Sequence, residues 1–196
     1  MRSSNSWLER HRNGAVFSFC TIVIVAVICA GVTAGVHYAA RDAFAASDAR
    51  LDEAQGGAQR KLLFPEAGSF EAKSAPSVEG LNSVYQADTG EWVFDVTSGE
   101  GYHGEVQLMV GINADGTVAG LQVVAEDETD GIGTKAFEDA YVEKFVGMAA
   151  SGALTTGDAA ADQTHVDAVS GATFTSNAVV DCLNIAFEAY AQMGGN

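Results

Sequence analysis

The sequence predicts an α+β protein: one N-terminal transmembrane helix, then a small antiparallel sheet packed by helices. Three observations carry this reading. An uncharged run of 28 residues lies between Arg12 and Arg41, β-rich runs flank an Asp115-Gly116 turn, and an apolar stripe at helical spacing occupies the last twenty or so residues. A length of 196 residues fits one domain, two at most.

The densest part of the uncharged run, Ala15 to Val36, is 22 residues long. At about 1.5 Å per residue it reaches ~33 Å, enough for a hydrocarbon core of ~30 Å. Residues 1–14 therefore read as a cytoplasmic N-terminus and 15–38 as a membrane helix, with the lipid bilayer as its partner. Ala43-Phe44-Ala45 also resembles a signal-cleavage site. A signal peptide carries an apolar region of only about 7–15 residues, so a retained anchor is the better reading. Arg2, Arg10 and Arg12 against Glu9 leave a local net charge of +2, which favours a cytoplasmic N-terminus. From Arg41 onward there are 7 basic and 25 acidic residues, a net of −18, and this part is expected on the outer side of the cell membrane.

That charge excludes nucleic-acid binding, because no basic patch is available to meet a phosphate backbone. Of three cysteines, Cys20 and Cys29 lie in the apolar run and Cys182 stands alone in the rest. No C-x-x-C is present for zinc or an iron–sulfur cluster, so no metal site is expected. Redox chemistry would need a bound organic cofactor.

Residues 39–90 read as a stalk and entry segment. Within it, 41–64 suits a helical or partly extended stalk ended by Pro65 and Gly68, and 66–90 shows no clear pattern. The folded domain is expected over 91–193. Trp92 to Val96 reads as a strand, and Ser98 to Gly104 as a glycine-rich turn. Val106–Ile112 and Thr117–Ala125 read as a hairpin joined by Asn113-Ala114-Asp115-Gly116. A polar loop, Glu126 to Thr134, follows. Phe137, Tyr141, Phe145 and Met148 recur at helical spacing over 135–148, and residues 149–163 read as a flexible connection. Ser176 to Met193 places Val179, Val180, Leu183, Ala186, Phe187 and Tyr190 on one helical face. Trp92, Phe94, Phe137 and Tyr141 are candidate core residues, and Cys182 a buried small apolar one.

The chemistry-bearing stretch is Asp167-Ala168-Val169-Ser170-Gly171-Ala172-Thr173-Phe174-Thr175-Ser176, hydroxyls and small residues just before that helix. One reading is an anion site: a helix N-terminus offers unpaired N–H groups and partial positive charge, and Gly171 lets the backbone come close. The other is helix capping, with Thr175 or Ser176 as N-cap. Spacing alone leaves both open.

Ser170-Gly171-Ala172-Thr173-Phe174-Thr175 resembles the S/T-G-A-T-x-S/T signature of the FMN-binding domain family. By average composition this pattern arises by chance in about one chain per thousand of this length. Gly101-Tyr102-His103-Gly104-Glu105-Val106 resembles the family's G-Y-x-G-x-[IV] entry to the sheet. Glu128-Thr129-Asp130-Gly131-Ile132-Gly133 resembles its E-T-P-G-[LI]-G loop. The motifs occur in family order behind a single N-terminal anchor, and the resemblance is tightest over 92–190. Asp130 departs from it, standing where the family usually has proline, which loosens the loop and brings a negative charge toward a flavin.

The resemblance implies FMN carried covalently through a phosphoester to Thr175, attached by a separate flavin transferase. Ser170, Gly171, Ala172 and Thr173 would surround the phosphate. Glu128, Thr129, Gly131, Gly133, Tyr102 and Gly104 would meet the ring. Two ion-pumping complexes use a component of this kind: the Rnf electron-transport complex, as its G subunit, and the sodium-pumping NADH:quinone reductase, as its C subunit. The compact soluble part looks more like the former. The implied role is an electron carrier in a membrane-bound, ion-translocating ferredoxin:NAD oxidoreductase. Its partners would be the membrane, flavin and iron–sulfur subunits of that complex, and it would turn over no substrate alone. A flavinylated extracytoplasmic domain of another reductase, or a non-redox membrane module, are the rival readings. His103 and His165 have no second ligand at a matching spacing, and Asp167 either assists attachment or shapes the turn.

Overall fold

The computed structural model describes residues 18–26, 30–31 and 56–194. The chain divides into two compact units, Met1–Ala54 and Gln55–Asn196. In the first, residues 18–26 and 30–31 are helical, with Phe19, Ile22 and Ile24 exposed. Among the described residues no helix is long and apolar enough to cross a membrane. The expected N-terminus 1–14, most of the expected span 15–38 and the stalk up to residue 55 lie outside the described residues.

The second unit opens with a short helix, α1 (Gly57–Leu63), followed by β1 (Phe70–Lys73), β2 (Leu81–Ala87), β3 (Trp92–Ser98), β4 (Val106–Ile112) and β5 (Val118–Ala125). These five strands form one antiparallel meander in sequence order. The Asn113–Gly116 turn joins β4 to β5 as the sequence predicts. Residues 66–90 are not patternless: they supply β1 and β2. Their strands were hidden because β1 reads Phe-Glu-Ala-Lys, with two charges in four residues, and β2 mixes Asn82, Ser83 and Gln86 among its apolar residues.

Strand alternation sends β4 side chains to opposite faces. Val106, Leu108, Val110 and Ile112 enter the main core, and Met109 points into a smaller cluster with Phe64, Tyr85 and Val93. Both faces of the central strands are therefore covered, which explains their near-continuous apolar sequence. On the second face α1 lies close to the sheet where Gly111 pairs with Gly120. A Cβ at Gly111 would stand 3.1 Å from the Phe64 ring, so the missing side chain makes room for the helix.

The main core is closed by α3 (Thr173–Gln192), a 20-residue helix whose Val179, Leu183, Ala186, Phe187 and Tyr190 form one stripe. Burying a side chain such as Leu183 or Phe187 contributes about 1.5–3 kcal/mol. Ser98 Oγ at the end of β3 donates to Asp181 Oδ2 at 2.6 Å, tying the sheet to the helix.

The expected helix over 135–148 is not continuous. A 3-10 turn (Gly133–Phe137) leads into the short α2 (Asp139–Val142). Tyr141 and Phe145 are nevertheless buried, so the four-residue spacing is that of successive turns packing one core. The chain then returns along β5: Val118 N donates to Met148 O and Gly147 N to Val118 O, both at 2.8 Å. This covers the edge strand. Residues 149–163 are also more ordered than a flexible connection. β6 (Ala153–Thr155) pairs in parallel with β7 (Gln163–His165). Asn184 of α3 holds β6 by both backbone groups of Leu154, at 2.8 and 3.0 Å.

Candidate functional site

The site forms where three segments meet: the turn between β3 and β4, the loop after β5, and the first turn of α3. Glu128 joins them. Its Oε1 accepts from Tyr102 N at 2.7 Å and His103 N at 3.3 Å, and its Oε2 accepts from Thr175 Oγ1 at 2.6 Å. Glu128 and Thr175 are both buried, so these bonds are shielded from competing water.

The loop itself closes on a single carbonyl. Thr129 O accepts from Ile132 N, Gly133 N and Thr134 N, at 3.1, 2.9 and 3.4 Å, while Gly131 N donates to Thr134 Oγ1 at 2.9 Å. Asp130, exposed, stands outside this set, so the loop is held without the proline that the family usually has there. Gly133 sits directly under the Glu128–Thr175 pair. An added Cβ would come within 2.8 Å of Glu128 Oε2 and 2.9 Å of Thr175 Oγ1.

The hydroxyl-rich segment turns at Ser170-Gly171, with Ala172 N donating to Val169 O at 2.9 Å. Gly171 occupies the third position of this turn at φ 84°, which a side chain would disfavour. Helix α3 begins at Thr173, three residues earlier than the sequence predicts. Its N-cap is Ala172, and no side chain caps it. The alternative of Thr175 or Ser176 as N-cap is thus overturned. Thr175 lies inside the first turn and bonds to Glu128, while Ser176 Oγ accepts from Val169 N at 2.9 Å. First-turn N–H groups of Thr173, Phe174 and Thr175 have no acceptor within the helix.

A cavity of about 440 Å³ opens among these segments. Of the residues that the sequence singles out, Tyr102, Glu128, Thr129, Gly133, Gly171, Ala172, Thr173 and Thr175 line it. Ser170, Gly131 and Gly104 shape the adjoining turns without lining it. Ile132 and Phe174 also line it, and sequence reasoning missed them. Phe174 stood at the variable place of its motif, and Ile132 at the place that takes Leu or Ile. The available signal was that each is a large apolar residue within a polar run. Tyr102, Phe174 and Ile132 are 62%, 59% and 51% exposed, and the Tyr102 and Phe174 rings lie 5.9 Å apart. Such an exposed apolar rim beside a cavity is a surface for a flat, largely apolar ring. Among the described residues no Lys or Arg lines the cavity.

The His103 ring lies 4.7 Å from that of Tyr102, tilted by 51°, and its Nδ1 lies 2.9 Å from Asp127 O. His165 is held between Gly157 O and Asp167 Oδ1, at 2.8 and 3.3 Å. Among the described residues no cluster of His, Cys, Asp and Glu could hold a metal ion. Cys182 is fully buried, 3.7 Å from Val106 O, and burial pushes its thiol up to about 12.

The segment that builds this site belongs to a recognised class of module: residues 101–188 match the FMN-binding domain family. The chain is 30% identical over 152 residues to the G subunit of the Na(+)-translocating ferredoxin:NAD(+) oxidoreductase complex of Acetobacterium woodii, covering 68% of this chain and 73% of that protein. It is 30% identical over 192 residues to the G subunit of the ion-translocating oxidoreductase complex of Escherichia coli O157:H7, covering 88% of each. The match to the G subunit of the corresponding complex of Cereibacter sphaeroides is 34% over 116 residues, covering 56% of this chain and 53% of that protein. The solved C subunit of the Na(+)-translocating NADH-quinone reductase of Parabacteroides distasonis aligns with a TM-score of 0.45 at 22% identity, covering 58% of this chain and 61% of that one. The chain belongs to the G-subunit family of ion-translocating oxidoreductase complexes.

Proposed function

We propose that this chain is the FMN-carrying electron-transfer subunit of a membrane-bound, ion-translocating ferredoxin:NAD oxidoreductase complex, with FMN esterified to Thr175. The observation that carries the reading is Thr175 itself, a hydroxyl in the cavity wall, held at 2.6 Å by a carboxylate and facing a loop with no side chain at Gly133. The residues fit the group. An apolar rim of Tyr102, Phe174 and Ile132 suits the ring, and the amides of the first α3 turn suit a phosphate. When bound, FMN supplies one- and two-electron redox chemistry that no side chain here can provide.

The chain's own part is retention and orientation. Among the described residues the cavity lining offers no Lys or Arg to neutralise a phosphate, and the protein from Arg41 onward carries a net charge of −18. Such a site binds a free anionic flavin poorly, so a covalent bond is what keeps the cofactor from dilution outside the membrane. The folded unit would face the outside, anchored by the 15–38 segment, and exchange electrons with neighbouring flavin and iron–sulfur subunits. A separate flavin transferase would load it.

The test is a tryptic mass map of the full chain expressed with a flavin transferase, beside Thr175→Ala. The wild-type peptide containing Thr175 should carry the mass of FMN less one water, and the variant should carry none. An unmodified wild-type peptide in a flavinylation-competent host overturns the covalent reading.

A further inference from the structure

We infer that Glu128 is the proton acceptor for the modification of Thr175, so that the chain brings its own general base to the transferase that loads it. The inference rests on the proposal that Thr175 is the attachment residue. A threonine hydroxyl is a weak nucleophile at neutral pH and becomes effective when an adjacent base removes its proton as the new bond forms. Glu128 Oε2 stands 2.6 Å from Thr175 Oγ1, within the short range of an O–H donor to a carboxylate. Among the described residues it is the one titratable side chain bonded to that hydroxyl. Asp167, the carboxylate of the hydroxyl-rich segment, bonds instead to His165 Nε2.

The surroundings fix this geometry. Glu128 Oε1 is engaged by the Tyr102 and His103 amides, so the carboxylate cannot swing its second oxygen out of reach. Gly133 closes the opposite side, where any Cβ would stand 2.8 Å from Oε2. A capping or purely structural threonine needs neither a buried carboxylate partner nor a cavity in front of it. This one has both.

The step balances without an electron transfer. A phosphodiester forms favourably only from an activated donor, here a flavin dinucleotide whose pyrophosphate link breaks. The Thr175 Oγ–phosphorus bond forms, the nucleoside monophosphate leaves with the bridging oxygen, and the Thr175 proton passes to Glu128 Oε2 and then to solvent.

The experiment follows loading of the full chain in detergent by intact mass, with transferase and flavin adenine dinucleotide supplied, for wild type, T175A, E128Q and E128D. Glutamine keeps an acceptor for the Tyr102 and His103 amides but offers no carboxylate to Thr175. E128Q is expected to load at least about 10²-fold more slowly with its melting transition retained. Its residual rate should climb about tenfold per pH unit between pH 7 and 9, as hydroxide replaces the base, while the wild-type rate does not. E128Q loading at the wild-type rate overturns the inference and leaves the attachment at Thr175 intact. Should E128Q lose its melting transition, E128D decides. It keeps the charge but withdraws it by one methylene, so loss of tenfold or more supports the inference and a wild-type rate overturns it. A wild type that gains no FMN at Thr175 removes both readings together.

Discussion

At Gly133 the backbone lies against the one pair of side chains on which the site turns. A Cβ there would come within 2.9 Å of the Glu128 Cβ and of Thr175 Oγ1, with little room for either neighbour to yield. Gly133→Ala is therefore expected to destabilise the protein by about 1–3 kcal/mol through overpacking. It should also slow flavin loading, by pushing Glu128 and Thr175 apart. Urea denaturation measures the first effect and intact mass the second. A variant with wild-type stability and loading would show that the loop yields more than its packing implies. The glycine was legible in the sequence as part of a motif, but its reason was not, because nothing in the sequence places residue 133 against residue 175. Thr175 was legible for the same cause, and Glu128 only as a residue of the loop that would meet the ring. That one carboxylate spans residues 102, 103 and 175 is a fact of the tertiary structure.

Among the elements, what the sequence revealed tracks how far burial dictated residue type. Strands β3, β4 and β5 and helix α3 pack the main core, so their apolar periodicity is strong. β1 and β2 lie toward the sheet's edge and carry polar residues. β6 and β7 depend on Asn184 and on each other, and hydrogen bonds of that kind leave no periodic trace. The segment from β7 to the hydroxyl-rich turn is held in the same way, with a consequence for pH. Both ring nitrogens of His165 face acceptors, Gly157 O and Asp167 Oδ1, and only the doubly protonated ring can donate to both. The Gly157 carbonyl first, and then the Asp167 carboxylate, raise the His165 value above its usual 6.5. The stabilising contribution is then fully present below the unfolded value and is lost as pH rises through the folded one. In NMR titration the His165 ring should show a midpoint above 6.5, and Asp167→Asn should lower it. A midpoint at or below 6.5 would mean that the two contacts do not persist in solution.

Across the whole molecule, charge is divided by the apolar run. Three arginines and one glutamate precede it, and a net charge of −18 follows it. The positive-inside bias keeps a short basic flank in the cytoplasm, whereas acidic residues present little barrier to export. The proposed topology is therefore a cytoplasmic N-terminus with the flavin-carrying unit outside. Single cysteines can test it with little background. Cys20 and Cys29 lie within the expected span, and Cys182 is fully buried with its thiol pushed up to about 12, so it offers almost no thiolate at neutral pH. Ser151→Cys, on an exposed loop of the folded unit, should react with a membrane-impermeant maleimide in intact cells. Ser4→Cys, in the basic flank, should react only after the cells are opened. The reverse pattern would place the flavin domain in the cytoplasm, where loss of a free cofactor is no threat. Dilution would then give no reason for covalent retention, even if the bond at Thr175 were found.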